Sequence, residues 1–284
     1  MKIIEDPREM REYSASFAAR GLAPVLVPTM GYLHDGHRRL LRVGKSLCQD
    51  GRPLVLSIFV NPAQFGPAED FAAYPRDMDR DAQVARAEGV DVVFAPRPDS
   101  MYPEGFQTFV EVPELSAPLC GAFRPGHFRG VATVVLKLFN IVAPARAVFG
   151  RKDYQQLLVI KRMVRDLDLG VEVVGVDTVR EPDGLAMSSR NAYLGPAERE
   201  AALCIPRALD AAQSALCAGE GESAVLVEKM KKVIEKEPSA VIEYIDVRDA
   251  ETLAPVDRVE APAVVALAVR IGATRLIDNR LLSR

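Results

Sequence analysis

The side chains best suited to chemistry in this chain are two histidines three residues apart, in His34-Asp35-Gly36-His37. The apolar run 24–28 ahead of them reads as a buried strand, and Leu40, Leu41 and Val43 after them have helical spacing. The pair therefore falls where a strand hands over to a helix. A helix start offers unpaired backbone N–H groups and a partial positive charge to an anion, and two imidazoles there could stabilise charge developing on a phosphate. Three other groups have similar potential. Lys152 precedes a helix, where its flexible ammonium could reach a phosphate as a point charge. Ser188-Ser189-Arg190, behind Gly184, supplies hydroxyls, backbone donors and a guanidinium fork. Asn61 and Gln64 flank a turn after an apolar strand, at the kind of carboxyl end where ligands collect in open α/β sheets. On spacing alone each also has a plainer reading, as a turn-former, a solvated charged face or a connecting loop.

The elements that must position these groups alternate. Apolar runs at 24–28, 54–60, 89–96, 146–150 and 171–176 read as strands, and the stretches between most of them carry helical patterns. That alternation predicts an α/β fold, a Rossmann-like doubly wound parallel sheet, over residues 1–179. Residues 108–112 alternate more like an edge strand, and an apolar helix is expected over 131–142 behind Arg124-Pro125-Gly126-His127-Phe128-Arg129-Gly130. From 180 to 284 the character changes to two amphipathic helices (196–218 and 223–237) and short strands (241–247, 263–271, 274–281), a smaller α+β domain able to act as a lid. The acidic stretch 69–81 leads into a helix. Its carboxylates could hold magnesium beside a triphosphate, or simply complement the helix dipole.

Composition narrows the classes. The chain has 284 residues, 49% hydrophobic and 26% charged, with a net charge of -3, so it can bury a full core and carries no overall basic footprint for nucleic acid. Its four cysteines are scattered without CxxC spacing, which argues against structural zinc and for reduced thiols in the cytoplasm. No basic and apolar leader and no membrane-length apolar run is present, so a soluble, unexported protein is expected. No GxGxxG follows the first strand and no GxxxxGK[ST] occurs, which removes the NAD-type and P-loop readings.

His34-Asp35-Gly36-His37 after Pro28-Thr29-Met30-Gly31 resembles the HxGH signature of the nucleotidyltransferase and class I aminoacyl-tRNA synthetase superfamily. With Asn61-Pro62-Ala63-Gln64-Phe65, Tyr74-Pro75-Arg76, residues 124–131, Phe149-Gly150-Arg151-Lys152-Asp153, Gln155-Gln156-Leu157 and the KMSKS-like Ser188-Ser189-Arg190, the chain is similar to the pantothenate synthetase (pantoate–β-alanine ligase) family. The resemblance implies ATP-dependent condensation of pantoate with β-alanine through a pantoyl adenylate, with MgATP as substrate and a homodimer as the assembly. It assigns Met30, Gly31, His34, His37, Gly150, Lys152, Asp153, Val179, Met187, Ser188, Ser189 and Arg190 to ATP. Pro28, Thr29, Met30, Gln64 and Gln156 go to pantoate, Gln156 lying one helical turn from Lys152. It nominates Asp81 for the metal and places His127 and Arg129 in or beside the site. His34, His37, Lys152 and Arg190 are the expected catalytic groups. Tyr32, Ala63 and Arg151 depart from the family's usual residues. Two rivals share the motif: a nucleotidyltransferase that stops at a stable adenylylated product, and a nucleotide-binding protein without turnover.

Overall fold

Strands rich in Val, Leu and Ile, the central ones covered on both faces, run through the first 176 residues, as the computed structural model of residues 1–67 and 69–282 shows. Two compact units result: Met1–Ser116 with Arg124–Arg151 and Gln156–Asp177, and a second made of Ala117–Phe123, Lys152–Gln155 and the chain from Thr178 onward.

The first unit holds a six-stranded, all-parallel sheet: β1 (Lys2–Ile4), β2 (Val25–Thr29), β3 (Leu54–Ile58), β4 (Val92–Phe94), β5 (Arg146–Gly150) and β6 (Glu172–Val176), in the order β1-β4-β3-β2-β5-β6. Its longer helices are α1 (Pro7–Ala18), α2 (Asp35–Ser46), α3 (Met78–Ala87), α4 (His127–Val142) and, from Gln156 onward, α5 (Tyr154–Asp166). Val25, Leu26, Val27, Leu54, Val55 and Leu56 are fully buried, which is why these strands read as unbroken apolar runs. Gly44 lets α2 lie close on the sheet, since a Cβ there would come within 2.8 Å of Leu54 Cδ1.

Strand order reverses between β2 and β5. The two pair only at Val25↔Arg146 and Leu26↔Ala147, whereas β5 stays paired with β6 through Gly150. The ladder therefore splits before the carboxyl ends of β2 and β5. A split at the switch point leaves a crevice where open α/β sheets take their ligands.

Two expectations need correcting. Residues 108–112 form no strand with any described residue; instead Val110 donates its N–H to Thr133 Oγ1 at 3.0 Å, and the Arg129 guanidinium lies 4.0 Å over the Phe109 ring. The segment thus spends its backbone and side chain on α4. That helix begins at His127 rather than 131, launched by Gly126 at φ 81.

The second unit holds an antiparallel sheet of β7 (Ala240–Asp249), β8 (Ala263–Ile271) and β9 (Thr274–Leu282) in that order. α6 (Pro196–Ala201), α7 (Cys204–Cys217) and α8 (Ser223–Ile234) belong to it, the expected single helix over 196–218 being broken at 202–203. Leu209, Leu226, Met230, Val265, Leu267 and Val269 are fully buried in one core. Among the described residues no helix is long and apolar enough to cross a membrane.

Candidate active site

Backbone constraint shapes the segment after β2. Thr29 Oγ1 donates to Ser57 O at 2.8 Å and accepts the Gly31 N–H at 3.2 Å, tying the strand end to the turn that follows. Gly31 has φ 83, and a Cβ on it would meet Asp81 Oδ2 and Ile58 Cγ2, each at 2.9 Å, so the position admits only glycine. Tyr32 also takes a positive φ, 53°. Asp81 compensates for this strained turn: its Oδ2 accepts the Tyr32 N–H and its Oδ1 the Leu33 N–H, both at 2.7 Å.

This corrects the role expected for Asp81. The residue is 1% exposed and both oxygens are engaged by main-chain amides, so it anchors the turn and offers no face to a metal ion. Burial raises its carboxyl above the ordinary 3.8, against the pull of the two amide donors. Among the described residues no group of three or more His, Cys, Asp or Glu could hold a metal ion.

The histidines cap their own helix. His34 is the N-cap of α2, and its Nδ1 accepts the Gly36 N–H at 3.1 Å. His37, at the third helical position, accepts the His34 N–H on its own Nδ1 at 3.3 Å. This reciprocal box is usually made by a hydroxyl and a carboxylate; here imidazoles make it, with ring centroids 4.1 Å apart. A backbone N–H can only donate, so each Nδ1 is an acceptor and each neutral ring carries its proton on Nε2. The helix start and two Nε2–H donors thus come from four consecutive residues.

Gln64 lies in a tighter cage than its turn suggested. The 3₁₀ turn Pro62–Gln64 follows Asn61, whose Nδ2 donates to Gln64 Oε1 and Gly130 O, each at 3.1 Å. Asn61 Oδ1 accepts from Tyr102 Oη at 2.8 Å and from Ala63 N at 3.2 Å, so this buried amide is fully used. Gln64 Nε2 points at Met30 Sδ, 3.1 Å away. Its main-chain carbonyl is held by His127 Nδ1 at 2.8 Å and Arg124 Nη2 at 3.3 Å. Arg124 Nη1 faces His127 Nε2 at 3.2 Å, and since Arg only donates, His127 has the opposite tautomer to the other two histidines. Arg124 also pairs with Glu69, whose carboxyl is held below its ordinary 4.5: burial raises it, and the Arg124 hydrogen bond and charge outweigh that. Gly130 makes the cage possible, for a Cβ there would fall 2.1 Å from Ala63 O.

Lys152 and Asp153 close a 3₁₀ turn, Arg151–Asp153, and the α-helix starts only at Tyr154. The helical register expected to place Gln156 on one face with Lys152 therefore does not run back to Lys152. Gln156 is half-buried, while its neighbour Gln155 is buried and bonds Cys120 N and Pro118 O. Arg151 pairs with Asp177 at 2.8 Å.

Val179 and Met187 face each other across a tight reversal. Met187 N donates to Val179 O at 3.0 Å, Arg180 bridges Ala186, and Gly184 turns the chain at φ 94. Ser188 follows as N-cap of the 3₁₀ helix Ser189–Tyr193, its hydroxyl accepting the Arg190 N–H at 3.3 Å. Lys152, Ser188, Asn191 and Asp278 line one small pocket.

Thus Pro28, Thr29, Met30, Gly31, His34, His37, Gln64, Gly150 and Gln156 belong to the first unit, and Lys152, Asp153, Val179, Met187, Ser188, Ser189 and Arg190 to the second. Tyr102, Asp278 and Asn279 lie outside the residues that sequence reasoning singles out, and Gly130 enters there only as part of the motif 124–131. Asp278 and Asn279 carry a faint signal, opening a run of three polar residues with Arg280 in the middle of an apolar-flanked strand.

A family model described as Pantoate-beta-alanine ligase matches residues 2–281. The pantothenate synthetases of Geobacter sulfurreducens and Moorella thermoacetica are 56% and 53% identical over 282 residues, covering 99% of this chain and 99% of each relative. A crystal structure of the pantothenate synthetase of Thermus thermophilus matches with a TM-score of 0.92 at 46% identity, over 99% of both chains. The pantoate-β-alanine ligase of Francisella tularensis, solved in complex with β-γ ATP and β-alanine, matches with a TM-score of 0.82 at 33% identity, over 99% of this chain and 97% of that one. With a family match spanning nearly its whole length, a parallel sheet split at its switch point and a histidine-capped helix beside the split, this chain belongs to the pantoate–β-alanine ligase family.

Proposed function

We propose that this protein joins pantoate to β-alanine with ATP, as an AMP-forming ligase that passes through pantoyl adenylate. The observation that carries the reading is the family match over residues 2–281. In the first half-reaction a pantoate carboxylate oxygen attacks the α-phosphorus of MgATP, and the bond to the bridging oxygen breaks to release pyrophosphate. In the second, the β-alanine nitrogen attacks the acyl carbon, loses a proton and expels AMP. Neither step needs a covalent enzyme intermediate, so alignment and charge stabilisation are what the chain must supply.

The assignments follow the chemistry of each group. His34 and His37 bring Nε2–H donors, and the N-terminus of α2 its partial positive charge, to phosphate oxygens. Lys152 and Arg190 neutralise phosphate charge, with Ser188 and Ser189 as hydroxyl donors; Met30, Gly31, Gly150, Asp153, Val179 and Met187 complete the ATP set. Gln64 and Gln156 hold the pantoate hydroxyls and carboxylate, with Pro28, Thr29 and Met30 against its methyl groups. Magnesium enters as part of MgATP, coordinated by phosphate oxygens and water. The protein acts in the cytoplasm as a homodimer.

The deciding experiment follows AMP and pyrophosphate release from ATP, magnesium and pantoate, with and without β-alanine, and pantothenate by mass. Steady AMP release that requires β-alanine and equals pantothenate formed is the expected result. Pyrophosphate without AMP would point to an adenylyltransferase, and nucleotide binding without turnover to a regulatory protein.

A further inference from the structure

β9 carries two adjacent polar residues in its middle, Asp278 and Asn279, only 2% and 8% exposed. The sheet itself does not require them, since their backbones pair with Leu267 and Ala266 of β8 whatever the side chain. A buried carboxylate and a buried amide persist only where they are paired, and their partners lie in the two segments of this unit that carry phosphate-type chemistry. Asn279 Nδ2 donates to the main-chain oxygen of Lys152 at 2.7 Å. Asp278 accepts from both terminal nitrogens of Arg180, at 2.6 and 3.0 Å, and Arg180 also donates to Gly184 O at 3.0 Å. The reversal clamped in this way ends at Met187, directly before Ser188. The Asn279 N–H in turn donates to Asp278 Oδ1 at 2.8 Å, which orients the pair.

We propose that Asn279 is a positioning residue for Lys152, and that the Asp278–Asn279 step of β9 holds Lys152 and Ser188–Arg190 in a common register for the triphosphate. The proposal rests on the assignment of Lys152 to the ATP phosphates. Lys152 sits in a short 3₁₀ turn and has a long flexible side chain, so its ammonium is only as well placed as its main chain. Gripping the carbonyl fixes the stem of the side chain and leaves the ammonium for substrate. A shift of order 1 Å in such a group is enough to lower rates strongly.

The test is pantoate-dependent exchange of pyrophosphate into ATP, which reads the first half-reaction alone, in the parent, Asn279→Ala, Asn279→Gln and Lys152→Ala proteins. Asn279→Ala is expected to raise KM for MgATP about tenfold, the scale of one lost hydrogen bond with some misalignment, at unchanged KM for pantoate. Asn279→Gln, which keeps a carboxamide donor one methylene further out, is expected to fall between that variant and the parent. It provides the same split of Michaelis constants should the alanine variant not fold. Loss of exchange in Lys152→Ala with a parental KM for MgATP in the Asn279 variants would overturn the positioning role alone. An equal rise in KM for both substrates would do the same, by showing a general loosening. Parental exchange in Lys152→Ala would remove the assignment of Lys152 and the proposal with it.

Discussion

The histidine segment of the first unit and the lysine and serine segments of the second are built on different principles. His34 and His37 are positioned by one another and by the helix they begin, through contacts two and three residues apart. Lys152 and the turn before Ser188 are gripped by β9, across 127 and 98 residues of chain. A motif that caps itself is complete as soon as its helix forms. A lysine or serine loop becomes a defined site only after a distant strand has docked. The difference teaches that conspicuous motifs can be of two kinds, those that carry their own geometry and those that borrow it.

Activity should separate the two kinds most clearly. His37→Ala or Lys152→Ala is expected to cut turnover by about two to three orders of magnitude, the scale of losing one transition-state donor. His37→Asn sharpens the point, because an Asn oxygen can replace Nδ1 as the cap acceptor but nothing replaces Nε2–H. It should melt close to the parent and still lack activity; a melting point as low as that of His37→Ala would break the self-capping account.

The borrowed geometry should fail through stability. Asp278 has a side chain with no exposed surface, paired with an Arg180 that is itself largely covered, so Asp278→Ala leaves an uncompensated charge and should cost about 3–5 kcal/mol in chemical denaturation. A loss within experimental error would show that Arg180 finds another partner or water.

Close packing gives the next effect. Gly130→Ala would drive a methyl into Ala63 O and should cost about 1–3 kcal/mol while weakening pantoate binding through Gln64. An unchanged KM for pantoate in a folded variant would separate Gln64 from that substrate.

Asp81→Asn probes the corrected role of that residue. An amide can accept only one of the two main-chain N–H groups, so unfolding free energy should fall by about 1–3 kcal/mol, with the magnesium dependence of the reaction unaltered. A shifted magnesium requirement would restore the metal reading.

The smallest effect concerns acid. Glu69 has a folded value below its ordinary 4.5, so its contribution to stability is present above that value and is lost as pH falls through the folded one. Glu69→Gln should therefore be less stable than the parent at neutral pH, with the gap closing in acid. A gap independent of pH would remove the Arg124 pair from the account.

Much of the first unit was legible because parallel strands buried on both faces leave apolar runs that no other element explains as well. The segment 108–112 misled for a related reason: alternation marks a chain with two unlike faces, and a loop laid along α4 has two unlike faces without belonging to a sheet. The acid at 81 misled because a carboxylate in a site and a carboxylate holding a strained turn look alike until burial is known.

By itself the sequence determined the α/β order of the first unit, the helix start at the histidines and the residue types available at Lys152 and Ser188–Arg190, since propensity, periodicity and residue type are local properties. Only the tertiary structure decided that Asp81 serves the backbone, that Gly130 must lack a side chain, and that β9 grips Lys152 and Arg180. Those outcomes depend on which distant groups share a desolvated space, and separation along the chain carries no trace of that.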